Sequence, residues 1–229
     1  MAGRIVTVLI RLILLGLCRI HVEEVGVLPR RGPCLVVVNH VNFLEVPILY
    51  ILLSARLEER RVWSLAKEET WRNPALRFLA RVWHAIPVRR GRADGAVFRA
   101  AAEVFSRREV LVIAPEGTRT GDGVLRRGHG GAVTLAYRNS VPLYPVAHFG
   151  GHQLYQNLRR FRRTHFCIRA GTPVVIDLPQ DTPLTGSLRR EITREMMGRL
   201  AALLPEEFRG EYRAEAERSP RYLKPFRNG

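Results

Sequence analysis

A chain of 229 residues, 46% hydrophobic and 25% charged, has the composition of one globular domain, alone or with a small appendage, and is long enough to bury a full core. Its formal charge of +16 rests on arginine, because Lys67 and Lys224 are the only lysines among 37 basic residues; a field of that size points to an anionic partner, unless it only reflects a genome-wide preference for arginine codons. Cys18, Cys34 and Cys167 are far apart and each lies in an apolar run, which argues against a disulfide framework or a metal site and leaves them as reduced core residues of a cytosol-facing protein.

Residues 5–18 form an apolar run broken by Arg11 and flanked by Arg4 and Arg19. It falls short of the roughly 20 residues that span a bilayer. No small-x-small cleavage site marks a secretory signal, and bulky Leu17 before Cys18 argues against a lipoprotein site. Residues 1–28 are therefore expected to form an apolar membrane-associating helix, lying in the cytoplasmic leaflet with its arginines at the headgroups. The competing reading packs that helix on the protein's own core.

A linker over residues 28–33 precedes Leu35-Val36-Val37-Val38, which reads as a buried strand that stops at Asn39. Pro47 and the apolar residues after it start a helix. His40 and Glu45 fall on the turn between the two, where four intervening residues can curl back to bring a carboxylate to an imidazole; on one regular helix they would point apart. A histidine oriented by a carboxylate is a general base suited to a hydroxyl. A purely structural reading makes Asn42 and Glu45 a capping box for a helix from Phe43. Pro47 counts against it, since at the fifth helical position it removes a hydrogen bond.

Residues 62–66 read as a strand with Lys67 at its end, and Asn73-Pro74 as the cap and start of a basic amphipathic helix. Residues 85–88 lead into Arg89-Arg90-Gly91-Arg92, after which Asp94 caps a further helix. Residues 110–114 are apolar without alternation, as in a strand covered on both faces, and run into Pro115-Glu116-Gly117-Thr118-Arg119. A basic glycine-rich stretch at 126–131 opens a helix, and residues 141–147 form another strand. The arginine run at 159–163 reads as a solvated loop, 166–168 and 173–177 as a closing pair of strands, and 187–204 as a helix. Residues 205–229 are set apart as a polar tail. Alternating strands and helices over 33–204 imply an α/β sheet whose ligands bind beyond the carboxyl ends of its strands. With those strands parallel, the His40 turn, Lys67, the Arg89-Arg90 cluster and the loop from Glu116 to Arg119 converge on one rim.

Four segments in this order resemble the glycerolipid acyltransferase family, that of the bacterial 1-acylglycerol-3-phosphate acyltransferases. They are Asn39-His40-x4-Glu45; Ala66-Lys67-Glu68-Glu69 with Asn73-Pro74 and Ile86-Pro87-Val88-Arg89-Arg90; Ala114-Pro115-Glu116-Gly117-Thr118-Arg119; and Val141-Pro142-Leu143-Tyr144-Pro145-Val146. The resemblance implies a mixed, largely parallel sheet flanked by helices and preceded by an N-terminal membrane-docking helical segment. It implies that His40 deprotonates a glycerol hydroxyl for direct attack on the thioester of acyl-CoA or acyl carrier protein, with Glu45 orienting the imidazole. Lys67, Arg90, Glu116, Gly117, Thr118 and Arg119 would form the acceptor phosphate site, where arginine offers a bidentate fork and lysine a point charge. No metal and no cofactor is implied. The partners are a lysophospholipid and the cytoplasmic face of an anionic inner membrane, with the protein peripheral or monotopic there.

Two positions depart from the family's pattern: Glu stands at 45 where Asp is usual, and Arg89 where acidic residues are common. The extra methylene is worth about 1.5 Å, and a misplacement near 1 Å costs about 100-fold in rate, so either the turn compensates or activity is altered. The expected activity is O-acylation of a lysophospholipid, by default 1-acylglycerol-3-phosphate. The alternatives are a lyso-aminolipid acceptor or a non-catalytic basic protein that binds anionic lipid. A nucleic-acid partner is not expected, for want of an aromatic RNA motif, zinc-finger spacing or basic recognition helix.

Overall fold

The computed structural model describes residues 2–28, 30–57, 61–88, 95–179 and 182–226. In chain order the elements are α1 (Ala2–Leu17), β1 (Cys18–Glu23), β2 (Cys34–Val38), α2 (Glu45–Arg56), β3 (Val62–Lys67), α3 (Pro74–Val82), β4 (Ala85–Val88), α4 (Gly95–Ser106), β5 (Val110–Ile113), α5 (Gly131–Asn139), β6 (Leu143–Phe149), α6 (Leu154–Arg159), β7 (Thr164–Ala170), β8 (Val174–Ile176), α7 (Gly186–Ala202), α8 (Arg213–Glu217) and β9 (Leu223–Pro225). The strands form one sheet in the order β1-β7-β6-β2-β5-β3-β4, with β8 beside β6 and β9 beside β8.

The sheet is mixed. β6, β2, β5, β3 and β4 run parallel, and so do β1 and β7, whereas β7, β8 and β9 each meet their inner neighbour antiparallel. Every residue of β2 is buried, as a strand covered on both faces requires. Alternation along it divides the core: Leu35 and Val37 join the cluster built with α4, α5 and α7, while Cys34, Val36 and Val38 join the one built with α1 and α2.

Several sequence expectations are corrected. The helix expected over 1–28 ends at Leu17, and Cys18–Glu23 becomes the edge strand β1, registered from Cys18 opposite Thr164 of β7. Its period of two explains this: Cys18, Ile20 and Val22 turn to the core while Arg19 and His21 face out. Residues 166–168 and 173–177 do not pair with each other; β7 and β8 each pair with β6. The stretch set apart as a polar tail folds back instead. Tyr212 and Leu223 are buried in the core cluster of α7, β9 extends the sheet, and the Tyr212 hydroxyl accepts a hydrogen bond from the Gly128 amide at 3.0 Å. Its apolar anchors are single residues between charged ones, too sparse for a periodic signal. Asp94 lies outside the described residues.

α1 divides its apolar surface. Leu14 is buried, with Ile10 and Leu17 packed against the same cluster, so the own-core reading holds for that side. Ile5, Val8, Leu9, Leu12, Ile13 and Leu15 are exposed on the remaining surface. No described helix is long and apolar enough to cross a membrane.

Because β2, β3 and β5 are parallel, their carboxyl ends, and with them the His40 turn, Lys67 and the loop after Ile113, lie on one rim. The amino ends of β7 and β1 reach the same rim, since β7 runs antiparallel to β6 and β1 follows β7.

Candidate active site

The chain leaves β2 at Val38, and Asn39 prolongs the ladder to β6 with its side chain. Asn39 Nδ2 donates to the His148 carbonyl and the His148 amide donates to Asn39 Oδ1, both at 2.9 Å. The His148 ring is fully buried, stacks on Phe166 with centroids 5.2 Å apart, and places Nε2 2.7 Å from the Asn39 carbonyl. That contact requires the proton on Nε2, and burial holds His148 below the ordinary histidine range, in its neutral form. His40 is thus set down by a backbone fixed one residue earlier.

The turn itself is built by Asn42 and Glu45. Asn42 Oδ1 accepts from the Leu44 amide at 2.8 Å, Asn42 Nδ2 donates to the Gly151 carbonyl at 2.8 Å, and the Asn42 amide donates to both Glu45 oxygens at 3.1 and 3.0 Å. Glycine suits position 151, because a Cβ would stand 3.0 Å from the Phe166 ring and 3.1 Å from Asn42 Nδ2 and would press both by a few tenths of an ångström. Glu45, the first residue of α2, also hydrogen-bonds His40 Nδ1 through Oε1. The two sequence readings of Glu45 are therefore compatible: one carboxylate accepts the turn's amide and orients the imidazole. The extra methylene is taken up by the turn, since the contact to His40 is made directly.

The Glu45 side chain is 2% exposed and that of His40 is 23% exposed. Burial works to raise the Glu45 carboxyl and is the largest single influence on it, but the hydrogen bond from His40, the fields of the His148 and His40 rings and a backbone hydrogen bond together outweigh it and hold the group below the usual carboxylate range. Nδ1 therefore carries the proton toward the carboxylate, and Nε2, without a hydrogen bond among the described residues, is left as the basic nitrogen.

The loop after β5 closes around the same turn through its backbone. Glu116 Oε1 accepts from the His40 amide and Oε2 from the Arg126 amide, each at 2.8 Å. Thr120 and Gly121 amides donate to the His40 and Val41 carbonyls at 2.8 and 3.0 Å. Gly117 turns at φ 64°, a left-handed conformation that suits glycine. Among the residues expected at the acceptor phosphate, Gly117, Thr118 and Arg119 are exposed at the rim, and Lys67 is half-buried at the end of β3, two strands from β2. Arg90 lies outside the described residues. Glu116 is different: it is buried, and both its oxygens are committed to backbone amides, so it joins two loops. Among the described residues no cluster of His, Cys, Asp and Glu is placed to hold a metal.

Burial pushes the Glu116 carboxyl up to about 7, against the two amide hydrogen bonds that favour its charged form. The folded protein then holds this proton more tightly than the unfolded chain, so the group's contribution to stability is full below pH 4.5 and is lost as pH rises through 7. Glu116→Gln removes the titration and sets an amide NH2 against one of the two backbone donors. We expect it to be less stable than wild type by about 1–3 kcal/mol at pH 5. Wild type loses roughly 2–3 kcal/mol of that advantage between pH 5 and pH 8, so the gap should close or reverse in urea unfolding at the higher pH.

Sequence reasoning passes over His148 and gives Asn39 no role beyond its place in the first motif, whereas it reads Asn42 as a capping partner of Glu45, and the Asn42 amide does donate to that carboxylate. The available signal was a polar residue inside or at the end of an apolar run, as with His148 in β6.

The family model for Acyltransferase matches residues 19–148, more than half of the chain, and includes every element of the His40 turn. The chain belongs to the acyltransferase family. Among the family's curated members it is 34% identical over 128 residues to a lyso-ornithine lipid O-acyltransferase of Pseudomonas aeruginosa, a match covering 56% of this chain and 46% of that one. It is 28% identical over 133 residues to a 1-acyl-sn-glycerol-3-phosphate acyltransferase of Bacillus subtilis, covering 56% of this chain and 63% of that one. The chain thus spans about half the length of the curated relatives it matches. The fold is that of the family as well: the crystal structure of the 1-acyl-sn-glycerophosphate acyltransferase PlsC from Thermotoga maritima superposes with a TM-score of 0.61 at 21% identity, over 84% of this chain and 75% of that one.

Proposed function

We propose that this family member is an O-acyltransferase that moves a fatty acyl group from acyl-CoA or acyl carrier protein to the free hydroxyl of a lysophospholipid, by default converting 1-acylglycerol-3-phosphate to phosphatidic acid. The observation that carries the reading is the His40–Glu45 contact: an imidazole oriented through Nδ1 by a buried carboxylate, with Nε2 open at the rim. His40 Nε2 takes the hydroxyl proton as the acceptor oxygen bonds to the thioester carbonyl carbon. The C–S bond then breaks, and the thiolate leaves with the proton returned by the imidazolium. Glu45 stabilises that imidazolium. Arg119, Lys67 and Arg90 hold the acceptor's phosphate, with Gly117 and Thr118 shaping the loop, and Glu116 acts by positioning. The exposed side of α1 rests in the cytoplasmic leaflet of the cell's inner membrane, where both lipid substrate and product reside.

A second reading keeps the chemistry and exchanges the acceptor for a lyso-aminolipid. It is favoured by the 34% identity to the lyso-ornithine lipid O-acyltransferase. The test is acyl transfer in mixed micelles from a long-chain acyl-CoA, and separately from acyl carrier protein, to lysophosphatidic acid and to lyso-ornithine lipid. Formation of phosphatidic acid by wild type supports the default, and product only from the lyso-ornithine lipid selects the second reading. No transfer to either acceptor, with lipid binding retained, returns the chain to a non-catalytic lipid-binding role.

A further inference from the structure

The excursion between β6 and β7 carries an arrangement that neither folding nor the proposed chemistry explains. α6 ends at Arg159, and two residues later Phe161 stands at φ 51° with its side chain 99% exposed. The left-handed position after a helix is ordinarily taken by glycine or asparagine, because a bulky side chain is strained there. Here the turn is closed by the Phe161 amide on the Leu158 carbonyl at 3.1 Å and the Arg162 amide on the Asn157 carbonyl at 2.9 Å. The hydration of the exposed aromatic ring adds a second cost to that strain. Tyr155 and Leu158 on the same short helix are exposed too.

Basic charge surrounds these rings. Arg159, Arg160 and Arg162 are exposed, and none makes an ion pair among the described residues. No Asp or Glu occurs between Asp122 and Asp177. The fourth arginine, Arg163, ties the excursion to α1, its Nη2 donating to the Leu15 and Cys18 carbonyls at 2.5 and 2.7 Å. The end of α1 and the residues just before β7 thus meet at the start of the β1–β7 pair, on the rim that carries His40. Asn42 binds the second residue of the excursion, Gly151.

We propose that the Tyr155–Arg162 excursion is a second membrane-contact element, which inserts Phe161, Tyr155 and Leu158 at the headgroup level of an anionic phospholipid surface and sets Arg159, Arg160 and Arg162 on its phosphates. Apolar rings alongside unpaired arginines match such an interface in both respects. The arginine run is then a contact surface, where the sequence alone reads as a solvated loop. This inference stands independently of acyl transfer and is read by binding alone.

The test is cosedimentation of the full chain with phosphatidylcholine vesicles, with and without phosphatidylglycerol. The variants are Phe161→Asn and the triple change Arg159→Gln, Arg160→Gln, Arg162→Gln. Asparagine accepts the left-handed turn, so Phe161→Asn should keep or raise the thermal midpoint while binding falls roughly tenfold on both vesicles. The triple variant should lose about fivefold per arginine, on the order of 100-fold in all, on anionic vesicles only, and the loss should vanish at high salt. Unchanged partitioning of either variant onto anionic vesicles overturns the proposal. So does a triple variant that binds vesicles normally but no longer binds acyl carrier protein, which would make the basic face a protein-docking site.

Discussion

His40→Ala should lower acyl transfer by about 1000-fold, the range expected for loss of a positioned general base, while costing only about 1 kcal/mol of stability. The separation follows from where the residue is held. The imidazole is partly exposed and touches the protein through Nδ1, whereas the backbone at position 40 is fixed by Glu116 on its amide and by the Thr120 amide on its carbonyl. The truncated variant keeps those bonds and loses the proton acceptor. Glu45 gives up its hydrogen bond to His40 but retains the Asn42 amide on both oxygens, so its carboxyl should move back toward the ordinary range. Rates at saturating acceptor, with urea unfolding of the same samples, would check both halves. A variant that unfolds early would mean that the contact serves the fold, and one that turns over normally would remove His40 from the reaction.

Glu45→Asp should also be impaired, by about 100-fold in kcat with the acceptor KM little changed, although aspartate is the residue the family ordinarily carries at this point. In this chain the carboxylate starts from the first residue of α2 and spans the turn to reach both the Asn42 amide and His40 Nδ1. Shortening it by one methylene withdraws it about 1.5 Å, and a base whose orientation is lost by that amount forfeits roughly 100-fold. The ring is then free to rotate, so the kcat loss should persist at every acceptor concentration. An aspartate variant as fast as wild type would mean that α2 can advance to follow the shorter side chain. A faster one would mean that glutamate restrains this enzyme.

The site was legible where the sequence changes period. The apolar run of β2, the abrupt Asn-His and the proline at the head of α2 placed His40 and Glu45 on a strand-to-helix turn, and the non-alternating run of β5 placed Glu116 to Arg119 beside it. Convergence on one rim followed from parallel strands alone. What stayed hidden depends on contacts across the chain. The Asn39–His148 pair joins residues 109 apart in sequence, and Glu116 resembles a ligand-binding carboxylate until its oxygens are seen to be spent on two amides. β1 was lost because its short alternation follows an apolar helix without a break, so the apolar count continued while the period changed. The last turns and β9 anchor through the buried Tyr212 and Leu223, with Phe208, Ala216 and Tyr222 packed beside them, a spacing that no window average detects. Phe161 was visible as a residue, yet its exposure and left-handed backbone were not.

His40 is held by its own peptide group. Because both its amide and its carbonyl are tied to the loop after β5, the peptide at position 40 keeps its place whatever side chain it bears. Stability and chemistry can therefore be inherited separately in this architecture. A descendant that exchanged the histidine would still fold, its melting curve shifted by only a few degrees, so a well-folded relative is no witness to a working one.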